Sequence, residues 1–374
     1  MDPEGQGKQK APLTELIFIS AFIAAGVALE FFTGGFDFSL ISFPVNILLT
    51  LIIILFATVR EKSPISGFGK PPVSVVLISL ILVLSVLMGL IPGNTIKSSW
   101  PFALVYLLLL ISLSMTIGRR LRRFRLSDAG FLLNHFGLLL LLIATGLGRG
   151  DHKRYLLTVP EGKVEWRGEN RWNGRTEELP VAVQLNDFKM ELYPPRVLII
   201  NRVTGEQQGG RDRSFTEAKT GNSFCVRNYT IRVDSVPDRE RYAPAAYITI
   251  INSESDSTTA GWISCGNYFQ LSKRIVLDDS LDAVLTVPEA SSYSSDVDIF
   301  TKRGTTKSGK VSVNHPLSAS SWKLYQYSYD TMMGRDSEYS VFELVHDPWI
   351  LPSYAGIIMM LLGAVTLFWK GGKR

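Results

Sequence analysis

Two hydrophobic patterns divide the chain. Up to about residue 150 the apolar residues run on almost without interruption; beyond it they alternate with polar ones in short bursts. A helix needs about 20 apolar residues to cross the hydrocarbon core. Six stretches meet or approach that length: Leu13–Thr33, Ser42–Val59, Val73–Ile91, Pro101–Ile117, Gly130–Gly148 and Trp349–Trp369. The fourth is short but holds no charged residue. Pro44 and Pro101 stand near helix starts, where a missing N–H costs little. The first run continues through Glu30-Phe31-Phe32 into Gly34-Gly35 with no small-residue cleavage site, which predicts an uncleaved anchor rather than a signal peptide.

Between the fifth and sixth stretches the period changes to two. Val181–Leu185, Arg196–Ile200, Tyr229–Val233, Tyr247–Ile251, Ala283–Val287 and Trp322–Tyr329 read as strands. In the last, Tyr325, Tyr327 and Tyr329 share one face, and Trp322 and Leu324 the other. Asp296–Phe300 and Lys310–Val313 flank Lys302-Arg-Gly-Thr, a hairpin with a loop. No long amphipathic helix interrupts them. The prediction is a polytopic α-helical membrane protein with six transmembrane helices. A large all-β domain, sandwich or open barrel, is inserted between helices five and six. The expected division is 1–148 for five helices, 149–346 for an extracytoplasmic β-rich domain, and 347–374 for the last helix and a basic tail.

Composition supports that division. Of 374 residues, 46% are hydrophobic and 20% charged, which excludes a disordered chain. The net charge of +5 suggests a nucleic-acid partner until it is located. Residues 149–346 hold 25 Lys and Arg against 26 Asp and Glu, so the excess positive charge lies among the helices. With a cytoplasmic N-terminus, thirteen Lys and Arg fall on the cytoplasmic side, among them Lys8, Lys10, Arg119–Arg125 and Lys370–Arg374, and only Lys97 on short external loops. That bias predicts an inner-membrane protein with both termini cytoplasmic and the β-domain outside. It also removes the case for nucleic acid.

Candidate chemistry is sparse. His135 sits inside the fifth apolar stretch, where an ionisable side chain is a functional-site hypothesis by default. A neutral imidazole is a good iron ligand; the alternative is a histidine hydrogen-bonded to a neighbouring helix. Gly137, Ala144 and Gly148 fall near one face of that stretch, spaced for close contact with a helix or a flat ligand. His152, His315 and His346 show no metal-binding spacing and read as surface or capping histidines. Glu15 and Glu30 near the ends of the first stretch read as snorkelling carboxylates, and the Arg119–Arg125 run as a topology signal. The Arg149-Gly-Asp triplet at the membrane edge reads as chance. Cys225 and Cys265 lack CxxC spacing; they read as a structural bridge or two buried thiols. No nucleophile, phosphate loop or dinucleotide fingerprint is present, so no catalytic residue is assigned.

Several motifs together resemble one family. Asn134-His-Phe-Gly-Leu-Leu-Leu-Leu-Leu-Ile-Ala-Thr-Gly resembles the histidine-bearing helix of the ResB/CcsB proteins of cytochrome c biogenesis. Similar matches are Tyr155-Leu-Leu-Thr-Val-Pro-Glu-Gly-Lys, Leu179–Phe188, Val313-Asn-His-Pro-Leu with Trp322–Tyr329, and Asp347-Pro-Trp leading to Tyr354-Ala-Gly-Ile. The resemblance spans about 130–369. It implies a subunit of the system II complex, a holocytochrome c synthase (cytochrome c haem lyase), which exports haem and attaches it to apocytochrome c. It implies a separate CcsA-like membrane partner and a transient haem b shared with it. It gives His135 the role of axial haem-iron ligand. Five stretches precede the β-domain here where the common family plan has three. A reading from another class is a membrane-anchored chaperone or receptor that binds polypeptide without haem.

Overall fold

The computed structural model describes residues 13–93, 95–209, 215–239, 242–302 and 304–371, with Lys370 and Gly371 described by backbone alone. Lys8, Lys10, Lys373 and Arg374, which enter the charge count, and Arg303 of the hairpin turn lie outside the described residues. The chain forms two compact units. One joins Met1–Lys153 with His346–Arg374; the other is Arg154–Val345.

The first unit is helical: α1 (Leu13–Thr33), α2 (Val45–Leu55), α3 (Pro71–Leu90), α4 (Trp100–Arg122), α5 (Ala129–Gly146) and α6 (Ile350–Gly371). Five of these helices are long and apolar enough to cross a membrane. The second stretch departs from expectation. Its α-helix has 11 residues, about 17 Å, followed by a 3-10 turn at Phe56–Thr58. Beyond that turn Arg122 donates to the carbonyls of Ala57 (2.8 Å) and Val59 (2.9 Å), which holds the segment against α4. The fourth helix departs in the other direction. It has 23 residues where 17 were expected, and Arg119, Arg120 and Arg122 form its last turn, where cations suit the helix dipole.

α4 is the hub. Val105 and Leu108 pack with Ile19 of α1 and Val73 and Leu77 of α3. Leu110, Leu113 and Ile117 pack with Ile53 of α2 and Leu139, Ile143 and Leu147 at α5. Helices in an apolar solvent gain little from hydrophobic burial, so close approach and hydrogen bonds hold them. Ser114 donates to Ile53 O (2.7 Å), Ser112 to Phe68 O (2.7 Å) and Tyr106 to Leu142 O (2.7 Å). A Cβ on Gly137 would stand 2.6 Å from Gly356 O, and one on Gly356 2.8 Å from Gly137 O, so α5 and α6 touch backbone to backbone.

The second unit is all-β, as the alternation predicts. Its strands are β1 (Lys153–Pro160), β2 (Val164–Asn170), β3 (Thr176–Leu192), β4 (Arg196–Asn201), β5 (Phe215–Glu217), β6 (Ser223–Val226), β7 (Tyr229–Ser235), β8 (Ala245–Asn252), β9 (Ser257–Ser264), β10 (Ile275–Val276), β11 (Leu281–Leu285), β12 (Ala290–Thr301), β13 (Thr306–Ser312), β14 (Leu317–Ala319), β15 (Trp322–Tyr329) and β16 (Tyr339–His346). Eight form one sheet in the order β13-β12-β3-β2-β1-β16-β15-β14. Its edge strands adjoin: Ser312 bridges His315, and a Cβ on Gly309 would stand 2.9 Å from Leu317 Cδ1. The sheet is therefore nearly closed around Leu157, Val183, Leu185, Ile299, Leu324 and Phe342. Two four-stranded sheets, β10-β11-β4-β5 and β6-β7-β8-β9, share a second core of Val197, Ile199, Ile231, Ile248, Ile263 and Leu281. They are inserted between β3 and β12, which pair with each other along their length. Open barrel and sandwich, offered as alternatives, both occur. In β15, Trp322 and Leu324 are buried and Tyr327 is exposed, as the two-residue period requires.

Candidate functional site

His135 lies six residues into α5, about 9 Å along the helix from Ala129. One turn on is buried Leu139; the same stripe continues through Leu142 and Gly146, where Tyr106 of α4 packs. The ring is partly buried. It stacks on Phe131, with centroids 3.8 Å apart, and its Nδ1 lies 3.0 Å from Phe131 O. A carbonyl oxygen only accepts, so Nδ1 carries the proton. Nε2 then holds the lone pair, and the tautomer is fixed as it is in metal-ligating histidines. Among the described residues, no group of three or more His, Cys, Asp or Glu could hold a metal ion. Haem iron, whose porphyrin brings four nitrogen donors, is the kind of metal that a lone imidazole can serve.

The structure settles the small-residue question in favour of a helix. Gly137 faces Gly356 of α6, and Gly148 faces the Trp349 ring. The arginine run has structural work. Arg119 bonds Ser66 O, Arg120 pairs with Asp128 at 2.6 Å and lies over the Phe131 ring, and Arg123 pairs with Glu61 at 3.1 Å. Glu30 accepts from Trp100 N (2.8 Å) at the start of α4, so it is a cap rather than a snorkelling group.

Sequence reasoning missed a clasp at the far end of α5. Asp151, dismissed as part of a chance triplet, accepts from Phe43 N (2.7 Å), Asn46 Nδ2 (2.7 Å) and Trp349 Nε1 (2.8 Å). It ties the entry to α2, the exit of α5 and the entry to α6. Asn46, fully buried in an apolar helix, was the signal that could have found it.

The remaining candidates do not belong to α5. His315 is exposed on the turn between β13 and β14, its Nδ1 3.1 Å from Val313 O. His152 and His346 are partly buried and engaged. Cys225 and Cys265 are unbridged, and Cys225 on β6 is exposed, which corrects the expectation of a bridge or two buried thiols. Alternation places Cys225 on the outer face of β6, opposite to buried Phe224 and Val226. Burial pushes the Cys265 thiol up.

Residues 279–337 match the model of the ResB-like family. The chain carries a ResB-like segment. This agrees with the ResB/CcsB resemblance of its motifs and is narrower than they suggest. The ResB-like segment runs from β11 through β15 to the turn at Gly334–Asp336, and includes Asn314-His-Pro and Trp322–Tyr329. Within it Asp282 is fully buried between Arg202 (2.7 Å) and Arg274 (3.0 Å), a doubly paired carboxylate of structural type. His135 lies outside the ResB-like segment, in the helical unit. No curated protein matches the chain.

Proposed function

We propose that this protein is a membrane subunit of cytochrome c maturation, acting with a CcsA-like partner in haem export and haem attachment to apocytochrome c. The ResB-like segment carries this reading. His135 supports it, with Nδ1 bonded to Phe131 O and Nε2 left as the ligand atom. In this role His135 would hold the iron of a transient haem b shared with the companion subunit. Haem would bring redox-active iron and reactive vinyl groups; the protein contributes binding and orientation and no nucleophile.

The proposed arrangement has six crossings, both termini cytoplasmic, and the β-unit outside. The path of the segment that contains the short α2 supports six rather than five. Phe36 packs on Trp100 at one end of α4, and Val59 meets Arg122 at the other, so residues 36–59 accompany α4 along its whole length. His135 then lies toward the cytoplasmic side.

The test is the visible spectrum of the protein purified with its CcsA-like partner. Wild type is expected to show a haem Soret band. His135→Ala should lose most of it, and added imidazole should restore it. Haem content unchanged in the variant would remove His135 from the role. A polypeptide chaperone without haem would show no Soret band in any preparation.

A further inference from the structure

Six strands lie at sheet edges among the described residues: β13 and β14, β10 and β5, β6 and β9. An edge strand exposes unpaired N–H and C=O groups, and proteins guard such edges by shortness, lysine, proline or bulges. Most of these edges are guarded. β5, β6, β10 and β14 have three, four, two and three residues. β13 carries Lys307 and Lys310, and the Lys307 ammonium donates to Ser318 O of β14 (2.6 Å). β9 has none of these devices. It runs for eight residues, Ser-Thr-Thr-Ala-Gly-Trp-Ile-Ser, without charge or proline, and it pairs with β8 along its whole length without a bulge.

The direction of its open groups follows from its last residue. Ser264 N donates to Lys273 O (2.8 Å) and Ser264 O accepts from Lys273 N (2.9 Å), so both main-chain groups point away from β8. In an antiparallel ladder successive residues alternate between the two sides. Trp262, Ala260 and Thr258 therefore turn their groups the same way as Ser264, while Ile263, Gly261 and Thr259 bond to β8. Past Lys273 the chain leaves this edge, and Ile275 pairs with Ala283 of β11 in the other sheet. The N–H and C=O groups of Thr258, Ala260 and Trp262, along about 14 Å, have no partner among the described residues. All three residues are exposed.

Donors and acceptors at every second residue of a strand are matched by another extended main chain. The side chains of that chain fall opposite those of β9. On the face away from buried Ile263 they meet Trp262, which is set edge-on to Tyr247 with centroids 5.2 Å apart, and then the small Ala260 and Thr258. An aromatic anchor beside two small residues suits large apolar side chains and offers no charge to select charged ones.

We propose that β9 takes an extended segment of an unfolded polypeptide as a further strand of its sheet, with an apolar side chain of that segment against Trp262. Naming the polypeptide as apocytochrome c rests on the function proposed above; the added strand itself does not use haem or His135.

The experiment adds reduced, unfolded apocytochrome c to the full chain in detergent and reads hydrogen–deuterium exchange residue by residue. The amides of Thr258, Ala260 and Trp262 should slow at least about tenfold, the loss expected from closing one hydrogen bond on each. Those of Thr259 and Gly261, already bonded to β8, should change little. Ala260→Pro removes an outward N–H that β8 does not use, so the fold should persist, as the circular dichroism melt will show. Its affinity for labelled apocytochrome c, read by fluorescence anisotropy, should fall at least about tenfold. Trp262→Ala should weaken binding several-fold. Absence of slowing at the three amides, or an unchanged affinity in folded Ala260→Pro, would overturn the proposal. Slowing produced by concentrating the chain alone would assign the edge to a second copy and overturn it equally. His135→Ala should bind apocytochrome c as wild type does, so loss of haem and loss of the added strand are read separately.

Discussion

At the scale of single residues, polar atoms inside the helical unit carry more information than apolar ones. His135 was legible because an imidazole in an apolar run is conspicuous, but its tautomer was not. That depends on Phe131 one turn earlier, and many i−4 carbonyls could have been left unused. Asp151 shows the opposite failure. Its sequence neighbours are unremarkable, and its three donors come from residues 43, 46 and 349, which no local pattern links. Hydrogen bonds to a charged acceptor are worth about 1.5–3 kcal/mol each, less for partly exposed ones. Asp151→Ala leaves three donors without their acceptor, and a loss of about 2–4 kcal/mol is expected. Thermal unfolding in detergent should show a clear drop in midpoint, with Asp151→Asn intermediate because its carbonyl oxygen still accepts. A midpoint within a degree of wild type for the alanine variant would show that the clasp holds nothing together.

Among the elements, the strands were read well and the helix lengths less well. Alternation reports which face of a strand is buried, and Trp322–Tyr329 obeys it because one face, with Trp322 and Leu324, joins the core while Lys323 and Tyr327 on the other are exposed. Hydropathy reports only apolarity, so it could not foresee that α2 would pass into a 3-10 turn at Phe56–Thr58 whose carbonyls meet Arg122. Nor could it separate barrel from sandwich, because the order of strands depends on pairings such as Val297 with Leu185, far apart in sequence. The α5–α6 seam was half legible: glycine spacing predicted close contact, and the structure supplied the partner. Gly137 and Gly356 face each other there, and a Cβ on Gly137 would also stand 2.8 Å from Met360 N. Backbone cannot swing away as a side chain can, so Gly137→Leu must part the helices. Overpacking of this kind costs about 1–3 kcal/mol. The expected outcome is a lower thermal midpoint and a smaller Soret band with His135 intact, since α5 carries that residue. Gly89→Leu on α3, where an added Cβ meets nothing within 4 Å, is the matched control and should change neither.

For the molecule as a whole, the placement of charge is the feature on which the proposed orientation rests. Lys and Arg crowd the short loops on one side of the apolar helices and all but vanish from those on the other, and the proposed orientation rests on that bias alone. The cysteines make that orientation measurable, because both lie in the β-unit and differ in exposure. Cys225 is exposed on β6; Cys265 is partly buried and its thiol is held up by burial, so it yields less thiolate near neutral pH. A membrane-impermeant maleimide added to sealed right-side-out vesicles should therefore label the protein mainly at Cys225. Cys225→Ser should remove most of the signal and Cys265→Ser little of it. Raising the pH should speed the residual reaction at Cys265, since deprotonation limits it. Labelling of Cys225 that appears only after the vesicles are broken would place the β-unit inside. That would reverse the sidedness assigned to His135, and with it the direction in which haem would be received from the cytoplasm and passed outward.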